Sequence, residues 1–321
     1  MLFINTSRQK FNLLLFLLLT STVSYTKILI FTYAYNRPDF IELQDNTFKA
    51  FLENEYEFVI FNDARDPKHF KNIINTCKKR GLRCVNIPQE IHNRPYLQRW
   101  PGEDYNHPSI RNCNVVQYSL DVMGFAHDDI LFLLDSDMFL VKKLNIREFL
   151  TGYDMGGIAC IAGIARGANY QKNINDIQYL WHGAAFLDMS TMPNKKTLNF
   201  NCGKVEGKSI DAGGHSHYYL KNNPQVKVRY VNANLISELQ CSSCKKNKSF
   251  TCTHNTHALI QAGFDEHQIR FIQKAPTDIE FFHDNAFLHY RAGSNWDYLS
   301  TAFHNKKTAT LNAYLNVICA Q

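Results

Sequence analysis

The chain has 321 residues, 45% of them hydrophobic and 20% charged, enough to bury one large core or two modest ones. That balance excludes a disordered chain, and the lack of any internal repeat excludes a solenoid. The formal charge of +6 is spread in short clusters such as Lys78-Lys79-Arg80, which suits an anionic small ligand, and no basic stripe with interleaved aromatics calls for nucleic acid.

The amino terminus reads as a separate object. Arg8 and Lys10 precede an apolar run over 11–23 centred on Leu13 to Leu19, and small residues follow at Thr22 and Ser24. A basic start, a dozen apolar residues and a small-residue exit predict a signal peptide over 1–25, because a spanning helix needs about 20 apolar residues. The alternative is an uncleaved signal anchor. On the first reading the mature protein is secreted or lumenal, begins near 24–27 and touches a membrane only through this segment. Residues 26–321 then form one continuous domain, since no linker rich in Gly, Pro or Ser divides them.

Nine cysteines in an exported chain imply disulfides, with one thiol left over. Cys77 and Cys84 are the local pair that spacing suggests. In the loop 240–257, Cys241, Cys244 and Cys252 with His254 and His257 form either disulfides or a zinc site. Asn247-Lys248-Ser249 lies in the same loop and is a glycosylation acceptor if the compartment is eukaryotic.

In chain order, 27–32 is a buried strand closed by the turn Asn36-Arg37-Pro38, and Phe40, Leu43, Thr47, Phe48, Phe51 and Leu52 then recur at helical spacing. Residues 58–61 form a second strand ending in Asn62-Asp63. Asp66 before Pro67 starts a helix that Gly81 closes, so 67–80 is helical, and 83–87 is a third strand. Strand and helix alternating in this way is the pattern of a nucleotide-binding half-sheet. The loop 88–107 carries Arg94, Tyr96, Arg99, Trp100 and Tyr105, which fits a lid, a substrate wall or an ordinary surface loop. Pro108 opens a helix through Val122. Further strands are expected around 156–164, 183–187, 226–231 and 286–290, and a helix at the carboxyl end.

Between them stands 130–134, five apolar residues followed by Asp135-Ser136-Asp137. In an open α/β sheet, ligands gather at the carboxyl ends of such buried strands. Both carboxylates can turn toward one cation, and hard oxygen ligands suit Mg²⁺ or Mn²⁺ bridging to a diphosphate.

With these residues in place, the chain resembles the GT-A class of nucleotide-sugar glycosyltransferases over most of 27–300. The stretch from Thr32 to Asp39, with Tyr35, Asn36 and Arg37, looks like the loop that wraps the nucleotide, and Asp63 like the aspartate that accepts a hydrogen bond from the base, commonly uracil. Ser109-Ile110-Arg111-Asn112 is similar to the helix entrance whose arginine faces the diphosphate. Trp181-His182-Gly183 resembles the strand lining donor sugar and acceptor. The segment from His289 to Trp296 resembles the carboxyl-terminal His motif of glycogenin-like enzymes, except that Ser294-Asn295 replaces the usual Lys-Pro before the tryptophan and leaves Arg291 to stand in for the lysine.

The resemblance implies a mixed, mostly parallel sheet flanked by helices, and a metal site of Asp135, Asp137 and His289. It also implies a UDP-sugar donor and a glycan, glycoprotein or glycolipid acceptor. Tyr35, Asn36, Arg37, Asp63, Arg111, Asp135, Gly183 and Arg291 would bind the donor. Asp211, before a helix and after the Gly183 strand, holds the place of the base in inverting enzymes, with Glu206 and Glu238 in reserve. The last motif, by contrast, resembles retaining enzymes; inversion is favoured slightly, for transfer of a hexosyl or N-acetylhexosaminyl group. Two other readings remain: a non-catalytic carbohydrate-binding protein on the same fold, and a sugar-nucleotide pyrophosphorylase, which would open with a Gly-rich phosphate loop where this chain has Asn36-Arg37-Pro38.

Overall fold

A computed structural model describes residues 27–93, 108–161, 164–166, 177–236, 239, 253–275, 279–291, 293 and 301–321. The first half alternates β1 (Ile28–Ala34), α1 (Pro38–Phe51), β2 (Tyr56–Asn62), α2 (Pro67–Arg80), β3 (Arg83–Asn86), α3 (Pro108–Val122) and β4 (Ile130–Leu134). Then come β5 (Met138–Leu140), α4 (Ile146–Leu150), β6 (Met155–Ile161), β7 (Ile164–Arg166), β8 (Gln178–Asp188), β9 (Gly203–Val205), β10 (Lys208–Ile210) and α5 (Ser216–Asn222). The chain ends through β11 (Val228–Tyr230), β12 (Ala233–Leu235), α6 (Thr253–Gln261), α7 (Glu266–Lys274), β13 (Glu280–Phe282), β14 (Phe287–His289) and α8 (Thr301–Cys319).

The main sheet runs β11-β6-β8-β4-β1-β2-β3, with β7 added on β6. Four of its six neighbouring pairs along this path are parallel, and β8 is antiparallel to both β4 and β6. This is the helix-flanked, mixed, mostly parallel sheet expected of the sequence. Its strands are apolar on both faces because both faces are covered. On one side Ile30, Ile60, Phe132 and Phe186 meet Ile41 and Phe48 of α1 and Ile73 of α2. Alternate residues Phe31, Phe61, Leu131 and Leu133 point the other way, against Val115, Val116 and Leu120 of α3.

A second sheet, ordered β12-β13-β14-β5, decides where the site forms. Its member β5 starts directly after Asp137, so the sheet docks strands from the end of the chain onto the tip of β4. No described helix is long and apolar enough to cross a membrane. Residues 1–26, the loop 94–107 and the cysteines of 240–252 lie outside the described residues. The disulfide expected between Cys77 and Cys84 is not formed: both are free thiols, in hydrogen-bonding contact across the gap between the end of α2 and β3. Cys160 and Cys319 are free thiols as well, and Cys113 is in hydrogen-bonding contact with Cys202.

Candidate metal and donor-binding site

Antiparallel pairing sets Leu134 of β4 opposite Ala184 of β8, so the chain leaving β4 emerges beside Gly183, whose carbonyl accepts the Asp135 N–H at 3.0 Å. The turn closes with the Met138 N–H on the Asp135 carbonyl at 3.1 Å. Pairing of β5 with β14 then puts Met138 opposite His289. A histidine from the far end of the sequence is thereby fixed beside the two aspartates. One potential ligand atom from each of Asp135, Asp137 and His289 lies within 4.8 Å of the other two.

Each of the three is held from behind. Oδ2 of Asp137 accepts the Gly293 N–H at 2.9 Å, and its carbonyl accepts the Tyr290 N–H at 2.8 Å. This leaves Oδ1 facing His289 Nε2 at 3.6 Å, an ion-pair contact too long for a direct hydrogen bond. Only glycine fits at 293, since a Cβ there would stand 2.8 Å from both Asp137 Cβ and the Phe40 ring. On its other side, His289 Nδ1 lies 2.7 Å from Glu280 Oε2. Burial works against a charged imidazole at 289, but the facing carboxylates of Asp137 and Glu280 outweigh it and raise its pKa to about 10. Burial likewise pushes Glu280 up, and the hydrogen bond with His289 and the charges of His289 and Arg291 bring it below the usual carboxylate range.

Asp135 is held by α3 and β8. Asn112 donates through Nδ2 to its Oδ1 at 3.1 Å, and Nε2 of the fully buried His182 stands 3.5 Å from the same oxygen. Burial opposes ionisation, and His182, His289 and Asn112 together reverse it and lower the pKa. Gly183 has a local reason: the Trp181 indole folds over it, and a Cβ would lie 2.4 Å from the ring. That indole stands 5.3 Å, centroid to centroid, from the His289 ring.

The other donor candidates fall into two groups. At the ends of β1 and β2, buried Asp63 receives Arg111 at 2.8 Å, His92 at 2.7 Å and Gln89 at 3.3 Å. Arg111 also reaches Gln89 Oε1 at 3.1 Å and lies 5.4 Å over the Tyr35 ring. Asp63 and Arg111 are thus engaged with each other, while Arg111 Nε and Asn36 Oδ1 are buried without a hydrogen-bond partner among the described residues. Arg37 is a tie rather than an open arm. It bonds Asp39 at 2.8 Å, the Gly293 carbonyl at 2.9 Å and Thr308 at 3.0 Å, and its guanidinium lies 3.5 Å over Phe40.

Arg291 is 55% exposed, 3.5 Å from Glu280, and its carbonyl accepts Lys307 Nζ at 2.5 Å. Asp211 is exposed and stands ahead of α5, whose N-cap is His215; its carboxylate accepts the Ala212 N–H at 2.7 Å and no hydrogen bond or ion pair joins it to the metal-site residues. Glu206 pairs with Lys221 at 2.7 Å. Glu238 lies outside the described residues, as do Arg94, Tyr96, Arg99, Trp100, Tyr105 and Trp296.

Sequence reasoning missed the roles of Glu280, Asn112 and His182. For Glu280 a signal existed: His283-Asp284-Asn285 is a turn, all three residues have positive φ, and closing it pairs Glu280 with His289.

No family model and no curated protein matches the chain. Among solved structures, it is similar to core-mannan synthase A from Aspergillus fumigatus in its Mn/GDP form, 9% identical over 53% of this chain and 61% of that one, with a TM-score of 0.35. It is also similar to glucosyl-3-phosphoglycerate synthase from Mycobacterium tuberculosis in complex with Mn²⁺, uridine diphosphate and glucosyl-3-phosphoglycerate, 13% identical over 64% and 68% of the two chains, with a TM-score of 0.35. The galactosyltransferase LgtC with donor and acceptor sugar analogs is 12% identical over 63% and 73%, with a TM-score of 0.34. The chain therefore spans about three fifths of the fungal synthase.

Proposed function

We propose that the chain is a divalent-metal-dependent glycosyltransferase, moving a hexosyl or N-acetylhexosaminyl group from a nucleoside-diphosphate sugar to a hydroxyl of a glycan, glycoprotein or glycolipid. The observation that carries this reading is the convergence of Asp135, Asp137 and His289 at the carboxyl end of β4. Two carboxylates and one imidazole fit a divalent cation by their chemistry, and the nitrogen donor tilts the choice from Mg²⁺ toward Mn²⁺. When bound, such an ion supplies Lewis acidity that neutralises charge gathering on a departing diphosphate.

The chain's own residues do the rest. Asp137 offers Oδ1, because Oδ2 is taken by Gly293, and Asp135 is steadied by Asn112 and His182. Tyr35 and the unpartnered Asn36 Oδ1 suit a flat base with N–H donors, over a floor of Asp63 and Arg111; a UDP-sugar is favoured. Arg111 Nε and the exposed Arg291 are the donors offered to the phosphates. Gly183 and the Trp181 indole wall the sugar side.

The acceptor hydroxyl must lose a proton as the bond forms. We assign this to Asp211, exposed and with no ion pair among the described residues, with inversion of the anomeric centre. Export is part of the same reading, and rests on the basic, apolar and small-residue pattern of 8–24. The test is a panel of nucleotide sugars with Mn²⁺, read by released nucleoside diphosphate. A donor turned over by the wild type and not by Asp137→Asn supports the reading, and equal turnover by both in saturating Mn²⁺ rejects it.

A further inference from the structure

Beyond the metal ligands themselves, we propose that Glu280 is a positioning residue for the metal site: it holds His289 through Nδ1–H and so keeps Nε2 turned toward Asp137, with which it would hold a cation. The inference rests on the metal-dependent reading above. It starts from register. β13 and β14 are antiparallel with Glu280 directly opposite His289, so the two side chains leave the sheet on one face, and their atoms meet at 2.7 Å. Neither is a surface group, with side-chain exposures of 14% and 11%. An ionised carboxylate only accepts, so in this pair the imidazole donates through Nδ1 and Nε2 is the nitrogen left for a ligand bond. A ligating imidazole is commonly fixed in this way, by its other N–H on a carboxylate or carbonyl.

The plainer role, bracing the hairpin, is already filled. The turn at Asn285 is held by Asn234 at 2.7 Å and by Gln268 at 2.9 Å, and Phe281 and Phe282 are packed in the core. The partners of the Glu280 side chain among the described residues are His289 and the exposed Arg291. A carboxylate this far from solvent is costly to keep, and here its one hydrogen bond among the described residues goes to a candidate metal ligand.

The test uses the full chain with Mn²⁺ alone as the probe, titrated by the EPR signal of the free ion. Glu280→Ala is expected to weaken Mn²⁺ binding by about 10–100-fold, the usual range for a residue that orients a ligand. Glu280→Gln, whose amide oxygen can accept the same N–H, is expected to return binding close to wild type. Unchanged affinity in Glu280→Ala, or a glutamine variant as weak as the alanine one, overturns the proposal. Should Glu280→Ala fail to fold, Glu280→Asp replaces it: the charge stays but the reach is lost, so binding weaker than in Glu280→Gln supports positioning and tighter binding overturns it. A wild type that takes up no Mn²⁺ rejects the metal reading instead. The metal-free crystal structure of Glu280→Ala then decides the hold alone, and an imidazole left in its wild-type place overturns it.

Discussion

The two polar regions along the carboxyl edge of the main sheet use charge in opposite ways. At the ends of β1 and β2, Asp63 is answered by Arg111 and His92, and Arg37 by Asp39. At the corner of β4, β5 and β14, three carboxylates, Asp135, Asp137 and Glu280, stand against the imidazoles of His289 and His182, with the exposed Arg291 at the rim. The first region is balanced within the protein. The second sets its carboxylates mainly against imidazoles, which can give up a proton and leave a lone pair, and a buried corner of that chemistry suits a divalent cation. The contrast predicts that mutations in one region will be read in stability and in the other in metal binding.

Asp137→Asn breaks the comparison at its strongest point. Asparagine keeps an oxygen for the Gly293 N–H, so folding should survive. A ligand is lost, and because residues that merely hold a ligand are worth about 10–100-fold in affinity, Mn²⁺ binding should fall by more than about 100-fold and transfer should vanish with it. A binding isotherm and a melting curve on the same sample check both halves.

Arg111→Met tests the balanced region. It leaves Asp63 buried beside His92 with its main cation gone, and breaking a buried pair in this way costs about 3–5 kcal/mol. Denaturant unfolding should show that loss while Mn²⁺ affinity stays near wild type. If stability holds and only the donor KM rises, Arg111 is a phosphate-binding arm and not part of the scaffold.

Asp211→Asn separates chemistry from architecture. As general base its loss should lower turnover by about 10²- to 10⁴-fold with donor binding intact. Its structural value is small, since the carboxylate is exposed, is not the N-cap of α5 and accepts one neighbouring N–H, so stability should move by less than about 0.5 kcal/mol. Retention of configuration in the product, seen by NMR, would remove Asp211 from this role even in an inactive mutant.

How far the sequence could be read follows the same division. α2 was legible because its ends are chemical signals: Asp66 accepts the Lys68 and His69 N–H groups at 2.9 and 3.0 Å, and Gly81 takes φ of 67°. α3 was legible from the proline that opens it, and β4 from an unbroken apolar run. The metal corner was legible only in its ligands. What joins them is β5, three residues long, and a hairpin of two three-residue strands, segments too short to carry a period. Glu280 could be reached only through the turn His283-Asp284-Asn285, because its partner lies across that hairpin. Asp63 and Arg111 were read as two open arms, and their pairing could not be seen from residues so far apart in the chain.

The smallest expected effect sharpens the boundary between the regions. Arg291 stands at the rim of the metal corner, 55% exposed and 3.5 Å from Glu280, where solvent screens the pair. Arg291→Ala should therefore change stability by no more than about 0.5 kcal/mol, within the usual range for a surface ion pair. Mn²⁺ affinity should hold too, because the 2.7 Å contact between Glu280 and His289 involves the other carboxylate oxygen, Oε2, while Arg291 faces Oε1. What remains is the donor: an arginine taking the place of a diphosphate-binding lysine should, on removal, raise the nucleotide-sugar KM, and by less at high salt because screening already weakens the wild-type contact. KM measured at two ionic strengths decides this. An unchanged KM at both leaves Arg291 as a surface companion of Glu280 and draws the donor site's edge inside it.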